Sequence, residues 1–169
     1  MNQENTVALE NDIARIAEQE RRLHCTHFDL DRAWQLGSRL RAIAQERGLS
    51  LAIEVRLSGQ TVFYAAMPGT TPANADWARR KRNTVELLHR SSYGVGRSQE
   101  RDGRTLEQTM GLPARDYASH GGSFPLQLEG VGFVGTVTVS GAPQREDHEV
   151  VVTALAELCG VPRAEIALD

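Results

Sequence analysis

Apolar residues recur at three- and four-residue steps from about Asn5 to Leu23, at Leu9, Ile13, Ile16 and Leu23, with Glu20 the one polar residue in the row. That spacing predicts an amphipathic helix. A short extended stretch, His24 to Phe28, follows. Asp29 or Asp31 can then cap a second helix, whose stripe is Ala33, Leu36, Leu40 and Ile43 and which Gly48 ends. Past Gly48 the period changes from helical to alternating. Leu51, Ile53, Val55 and Leu57 interleave with Ala52, Glu54, Arg56 and Ser58, the pattern of a half-buried strand. A turn at Ser58-Gly59-Gln60 returns the chain as a partner strand over Thr61 to Met67. Pro68-Gly69 and Pro72 interrupt it before a third helix, about Ala75 to Arg90.

From Ser91 to His120 the chain has glycines at 94, 96, 103 and 111 and little periodicity, so mostly loop is expected, with one short helix near Leu106. Phe124–Leu128 and Val131–Val139 read as two strands joined at Glu129-Gly130. Pro143 opens a last helix with Glu146 and Asp147 in its first turn, a stripe of Val151, Leu155 and Leu158, and a stop at Gly160-Val161-Pro162. Strands in sequential pairs predict a mainly antiparallel sheet with helices packed on it, an α/β fold of the α+β kind. The Val131–Val139 strand is nearly uncharged on both faces, which predicts cover on both sides, by helices or by another subunit. No repeat or linker divides the chain, so one domain is expected over residues 1–169, an N-terminal helix at about 5–23 and a core at about 24–160.

Composition narrows the classes. The 169 residues are 40% hydrophobic, enough for a core and too apolar for a disordered chain. A formal charge of −3 gives no general attraction to nucleic acid or anionic lipid, and neither partner is expected. No apolar run approaches membrane-spanning length, and the start, Met1-Asn2-Gln3-Glu4-Asn5, is polar rather than signal-like, so a cytoplasmic location is expected. Cys25 and Cys159 lie far apart in sequence; neither a disulfide framework nor a zinc motif is expected of them, and Cys159 reads as core filler.

Candidate chemistry concentrates in two places. On the third helix Trp77, Lys81, Val85 and Leu88 share one face. Lys81 is the one lysine among 19 basic residues and the one cation on that stripe. It must snorkel, pair with a carboxylate or meet a ligand anion. Its neighbours Arg79, Arg80 and Arg82 wind around the helix rather than lining one face, which favours salt bridges over a nucleic-acid patch. The second place is His120-Gly121-Gly122-Ser123-Phe124-Pro125. Its paired glycines permit a tight turn that exposes N–H groups, and His120 can ligate a metal or carry a proton near neutrality. Ser123 beside His120 invites a nucleophile reading, but no Gly-x-Ser-x-Gly elbow supports one. His24, Cys25 and His27 are too closely spaced along a strand to face one metal. Asp147 suits the dipole of the last helix, and His148 beside it is placed to face the sheet.

Three blocks together carry a family resemblance: Trp77 to Val85 (Trp-x-x-Arg-Lys-x-Asn-Thr-Val), His120 to Pro125, and Gly135 to His148. The chain resembles the haem-degrading-domain family of HbpS-like and GlcG-like proteins, over roughly Asp29 to Cys159, and within it a cytosolic branch. The resemblance implies a profilin-like sandwich with a sheet of about five strands, and a homo-oligomer built from dimers. It also implies haem as a ligand, but no catalytic residues.

Two functions follow. In the first, haem or another planar anion binds between the third helix and the strand after His120. Lys81 or Arg80 would meet its carboxylates, the turn of Gly121, Gly122 and Ser123 would donate N–H groups, Trp77 would stack, and His120 or His89 would be the ligand to a metal if the ligand carries one; no metal bound by the protein alone is expected. In the second, the chain is a non-enzymatic oligomeric adaptor or chaperone-associated protein whose Trp77, Lys81 and Gly121 hold subunits together.

Overall fold

The computed structural model describes residues 3–168; residues 1, 2 and 169 of the expected single domain lie outside the described residues. In chain order the elements are α1 (Gln3–Arg22), β1 (His24–Cys25), α2 (Leu30–Glu46), β2 (Ala52–Leu57), β3 (Gln60–Ala66), α3 (Pro72–Leu88), α4 (Ser92–Asp102), α5 (Leu106–Met110), β4 (Ser123–Leu128), β5 (Gly132–Ser140) and α6 (Gln144–Cys159). A 3₁₀ turn, Arg163–Glu165, follows. The strands form one sheet in the order β1-β4-β5-β2-β3. Every pairing is antiparallel except β1 with β4. The mixed α/β class and the five-strand sheet agree with expectation.

Alternation along the strands sorts the two faces. Ile53, Val55, Phe124, Leu126, Val137 and Val139 point to one face and pack with Leu36, Leu40 and Ile43 of α2 and Val151 and Leu155 of α6. Each such aliphatic side chain contributes about 1.5–3 kcal/mol through loss of contact with water. The opposite face carries Glu54, Ser123, Thr136 and Thr138, buried beneath α3. Central β5 is therefore covered by helices on both sides, which explains why neither of its faces carries charge.

Four expectations need correction. The segment after Ser91 holds α4, a helix of eleven residues. Its Gly94 and Gly96 hid the periodicity, and both are packing glycines: a Cβ on Gly94 would press on Ile16 and Glu20, and one on Gly96 would overlap the Ser119 carbonyl. The buried row of α1 is Leu9, Asp12, Ile16 and Gln19 rather than one through Ile13, because polar partners await it. Asp12 meets Arg145 at 2.8 Å, and Gln19 meets His148 at 2.7 Å. Third, α3 begins at Pro72 rather than Ala75, with the Thr71 N–H donating to Asn74 Oδ1 at 2.8 Å.

The fourth correction is covalent. Cys25 and Cys159 form a disulfide, their Cα atoms 5.0 Å apart across 134 residues of sequence. Strand β1 joins the sheet beside β4, and α6 packs over both, which brings the end of α6 onto β1. Sequence distance carried no trace of this.

Candidate functional site

Lys81 is 4% exposed, and its ammonium donates to Asp147 Oδ2 at 2.8 Å and to the Val139 carbonyl at 3.3 Å. The partner its position demanded is thus a carboxylate on α6. Asp147 is held in turn by the N–H groups of Gly141 at 3.3 Å and Ala142 at 3.0 Å. Burial pushes the Lys81 ammonium below its ordinary pKa, and the adjacent Asp147 charge pushes back. Burial likewise raises Asp147, against the pull of Lys81 and of the two backbone N–H groups. An ammonium has three protons to donate, so one N–H of Lys81 has no acceptor among the described residues.

Above this pair opens a cleft of about 270 Å³, lined by Asn74, Trp77, Lys81, His120, Gln144 and Asp147 with the Ser140-Gly141-Ala142 turn. Trp77, 36% exposed, forms one wall. The His120 ring meets it edge-on, with centroids 5.0 Å apart, and the Arg80 guanidinium lies 4.1 Å over the indole. Neither ring nitrogen of His120 is bonded to another described residue. Partial burial, then the Lys81 and Arg80 charges, hold its imidazole below the ordinary pKa, so it is neutral at physiological pH.

The basic run on α3 fixes the approach to His120. Arg80 donates through Nε and Nη2 to the Ala114 carbonyl at 3.0 and 2.6 Å. Asn83 Nδ2 donates to Asp116 O at 2.9 Å, Thr84 Oγ1 to Ala118 O at 2.9 Å, and the Ala118 N–H to Arg80 O at 3.1 Å. Arg79 binds Asp116 at 3.0 Å, and Arg82 binds Glu54 of β2, on the sheet face beneath α3, at 2.7 Å. The segment from Pro113 to His120 is therefore strapped along α3, and every arginine of the run has an intramolecular partner.

Of the residues singled out from sequence, Trp77, Arg80, Lys81 and His120 come together. Gly121 and Gly122 sit beside them in another role than expected. Both are buried, and the Gly121 N–H points to Gln144 Oε1 at 3.4 Å. A Cβ on Gly121 would overlap the Gln144 carbonyl, and one on Gly122, at φ 126°, would overlap Val139 O and crowd Lys81 Nζ. They are glycines because backbone and the Lys81–Asp147 pair approach closely there. Ser123 is 1% exposed and shares its hydroxyl with Thr138 at 2.8 Å, beneath the cleft rather than in it. His89 is not brought in. It caps the C-terminal end of α3 at φ 52° and stacks on Phe133, with centroids 4.0 Å apart. Eight residues of helix, about 12 Å, separate it from Lys81.

Asn74, Gln144 and Asp147 join the site without having been assigned to it. For Asp147 a signal existed, since a lysine on an apolar stripe requires a carboxylate and Asp147-His148 stood at a helix start. Among the described residues no group of three His, Cys, Asp or Glu side chains is placed to hold a metal ion.

A family model described as haem degrading protein, HbpS-like, matches residues 28–156. The chain belongs to the HbpS-like family. Within it, the chain is 53% identical over 161 residues to a UPF0303 protein of Azotobacter vinelandii, covering 95% of this chain and 97% of that one. It is 50% identical to a UPF0303 protein of Serratia proteamaculans, over 90% of this chain and 95% of the other. The crystal structure of the Ybr137w protein is similar with a TM-score of 0.81 at 25% identity, covering 88% of this chain and 87% of that one. HbpS shares the fold with a TM-score of 0.62 at 21% identity, over 80% and 92% of the two chains. A complex of PduOC with haem shares it with a TM-score of 0.63 at 18% identity, over 73% and 88%. No helix among the described residues is long and apolar enough to cross a membrane.

Proposed function

We propose that this HbpS-like chain, acting as one domain, binds a small planar anionic ligand of the haem kind in the cleft between α3 and the His120 turn. The observation that carries the reading is His120: a neutral imidazole, free at both nitrogens among the described residues, held against Trp77 at the cleft rim. A neutral imidazole offers a lone pair to iron. The unused N–H of Lys81 and the amides of Asn74 and Gln144 line the floor and suit a carboxylate. The cleft, about 270 Å³, suits a smaller acid whole or a macrocycle along one edge. The residues present therefore fit haem at its rim; a bound haem would supply an iron centre, and the chain supplies the nitrogen, the aromatic wall and the donors. The family description and the PduOC complex with haem support the same ligand class.

Haem titration of the purified protein tests this. The Soret band is expected to shift at stoichiometric haem, to lose that shift in His120→Ala and to keep it in His89→Ala. No shift, or one unchanged in His120→Ala, removes haem from the cleft.

The homo-oligomer implied by the resemblance has an observation of its own. The seven residues of β3 are uncharged and bonded to β2 on one side only, leaving an open sheet edge. Tyr64 on it is 50% exposed and Trp34 of α2 beside it 66%. Such an edge is suited to antiparallel pairing with a second copy about a two-fold axis. Native mass spectrometry giving an even-numbered assembly, reduced to monomer by Tyr64→Lys, is the expected result. An adaptor role, read from the sequence at Trp77, Lys81 and Gly121, would use this edge instead, because Lys81 and Gly121 are buried within the chain; the cytoplasmic location implied by the family branch is part of the proposal.

A further inference from the structure

The chain has two cysteines, and they meet far from the cleft. Cys159 is the last residue of α6, twelve residues and about 18 Å of helix beyond Asp147. Cys25 ends β1, which holds the sheet through only two residues, His24 opposite Gln127 and Cys25 opposite Leu128. Around the bridge the last turn of α1 is clasped to the segment that follows α6. Gln19 Nε2 donates to the Ile166 carbonyl at 2.8 Å, Arg22 meets Glu165 at 2.6 Å, and Ile166 is fully buried. The bridge thus pins the weakest strand of the sheet to the helix that precedes the C-terminal segment.

The two cysteines differ in exposure. Cys25 is 7% exposed, whereas Cys159, the last residue of α6, is only partly buried. Thiol–disulfide exchange proceeds by in-line attack on a sulfur that can be reached, so this asymmetry sets an order of events. Wherever small thiols or disulfides are present, a bridge with one better exposed cysteine exchanges with them through that residue first.

We propose that Cys25–Cys159 is a thiol–disulfide exchange site for small thiols and disulfides of the glutathione type, with Cys159 the sulfur that meets the solute and Cys25 the resolving sulfur. In the closing direction the Cys159 thiolate attacks one sulfur of the small disulfide. A mixed disulfide forms on Cys159 and one small thiolate leaves. Cys25 gives its proton to solvent, and its thiolate attacks Cys159 Sγ, forming the bridge and expelling the second thiolate. Two protein thiols are oxidised, and one small disulfide is reduced to two thiols. Opening is the reverse: a small thiolate attacks Cys159 Sγ, Cys25 departs as the thiolate, and a second small thiol releases Cys159.

The test uses the full-length chain, reduced and freed of reductant, then exposed to glutathione disulfide and quenched with acid. Intact mass should pass through a single glutathione adduct to a form lighter than the reduced chain by two hydrogens. Peptide mapping of the adduct should place it on Cys159. In Cys25→Ala the adduct should accumulate on Cys159, and in Cys159→Ala labelling of Cys25 should be at least about tenfold slower, as its burial requires. Mapping on the unsubstituted chain settles the order even if a variant fails to fold. Two persistent thiols, an adduct mapped to Cys25, or equal labelling in the two variants overturns the proposal. The haem titration is independent of this outcome, because the cleft and the bridge lie at opposite ends of α6.

Discussion

Lys81 of α3 and Asp147 of α6 meet at 2.8 Å across the end of β5, with side chains 5% and 1% exposed. The pair joins a helix from each face of the sheet. Removing one partner strands the other charge in the interior, which costs far more than the pair itself contributes. Lys81→Met is therefore expected to destabilise the fold by about 3–5 kcal/mol in urea unfolding. Burial already raises the Asp147 carboxyl, and without its cation nothing but the two backbone N–H groups opposes that, so the loss should ease as pH falls. The double variant Lys81→Met/Asp147→Asn should recover a large part of the stability. A single variant as stable as the parent would mean that the pair does not form in solution.

His148 is 1% exposed, and its Nε2 faces Gln19 Oε1 at 2.7 Å. Burial, with Arg163 and Arg145 nearby, lowers its pKa from 6.5 to about 3. The unfolded chain takes up this proton below about pH 6.5 and the folded chain only near pH 3. Stability is thus full above the upper value and falls as pH drops between the two, by about 1.4 kcal/mol per unit from this group. His148→Gln should flatten that part of a denaturation series; an unchanged slope would assign it to other groups.

Gly122 stands at φ 126°, and the position of a Cβ there is taken by Val139 O, with Lys81 Nζ at 2.9 Å. Gly122→Ala combines backbone strain with overpacking and is expected to cost about 3 kcal/mol. Gly103→Ala is a useful control, since its φ of 64° is also positive but nothing lies within 4 Å of the added carbon. Thermal melts of the two should separate packing from conformational strain.

Thr84 Oγ1 donates to the Ala118 carbonyl at 2.9 Å, two residues before His120. Thr84→Val keeps the shape, removes the donor and should cost about 1–2 kcal/mol. Loosening the strap should also weaken any ligand that binds through His120. Full affinity in a destabilised Thr84→Val chain would show that the strap serves stability alone.

The elements legible from periodicity were those whose packing is apolar: the stripe of α2, the β2–β3 and β4–β5 hairpins, and α6. Where packing is polar or tight, the pattern misled. Helix α4 was obscured by Gly94 and Gly96, which exist to admit Glu20 and the Ser119 carbonyl, and α1 turns Asp12 and Gln19 inward because Arg145 and His148 face them. At the cleft, the odd position of Lys81 announced a partner without naming it. His89 carried the same chemistry as His120 on paper, but helix geometry places it at the wrong end of α3.

Hydrophobic period and turn residues were by themselves enough to determine the class, the strand order along the chain, and the need of Lys81 for an anion, because these follow from local geometry and the cost of burying charge. Only the tertiary structure decided that the anion is Asp147, that Arg80, Asn83 and Thr84 strap His120 to Trp77, and that Cys25 and Cys159 are joined. Those pairings span from 33 to 134 residues of sequence, and separations of that kind are set by how helices cross the sheet, which no local pattern records.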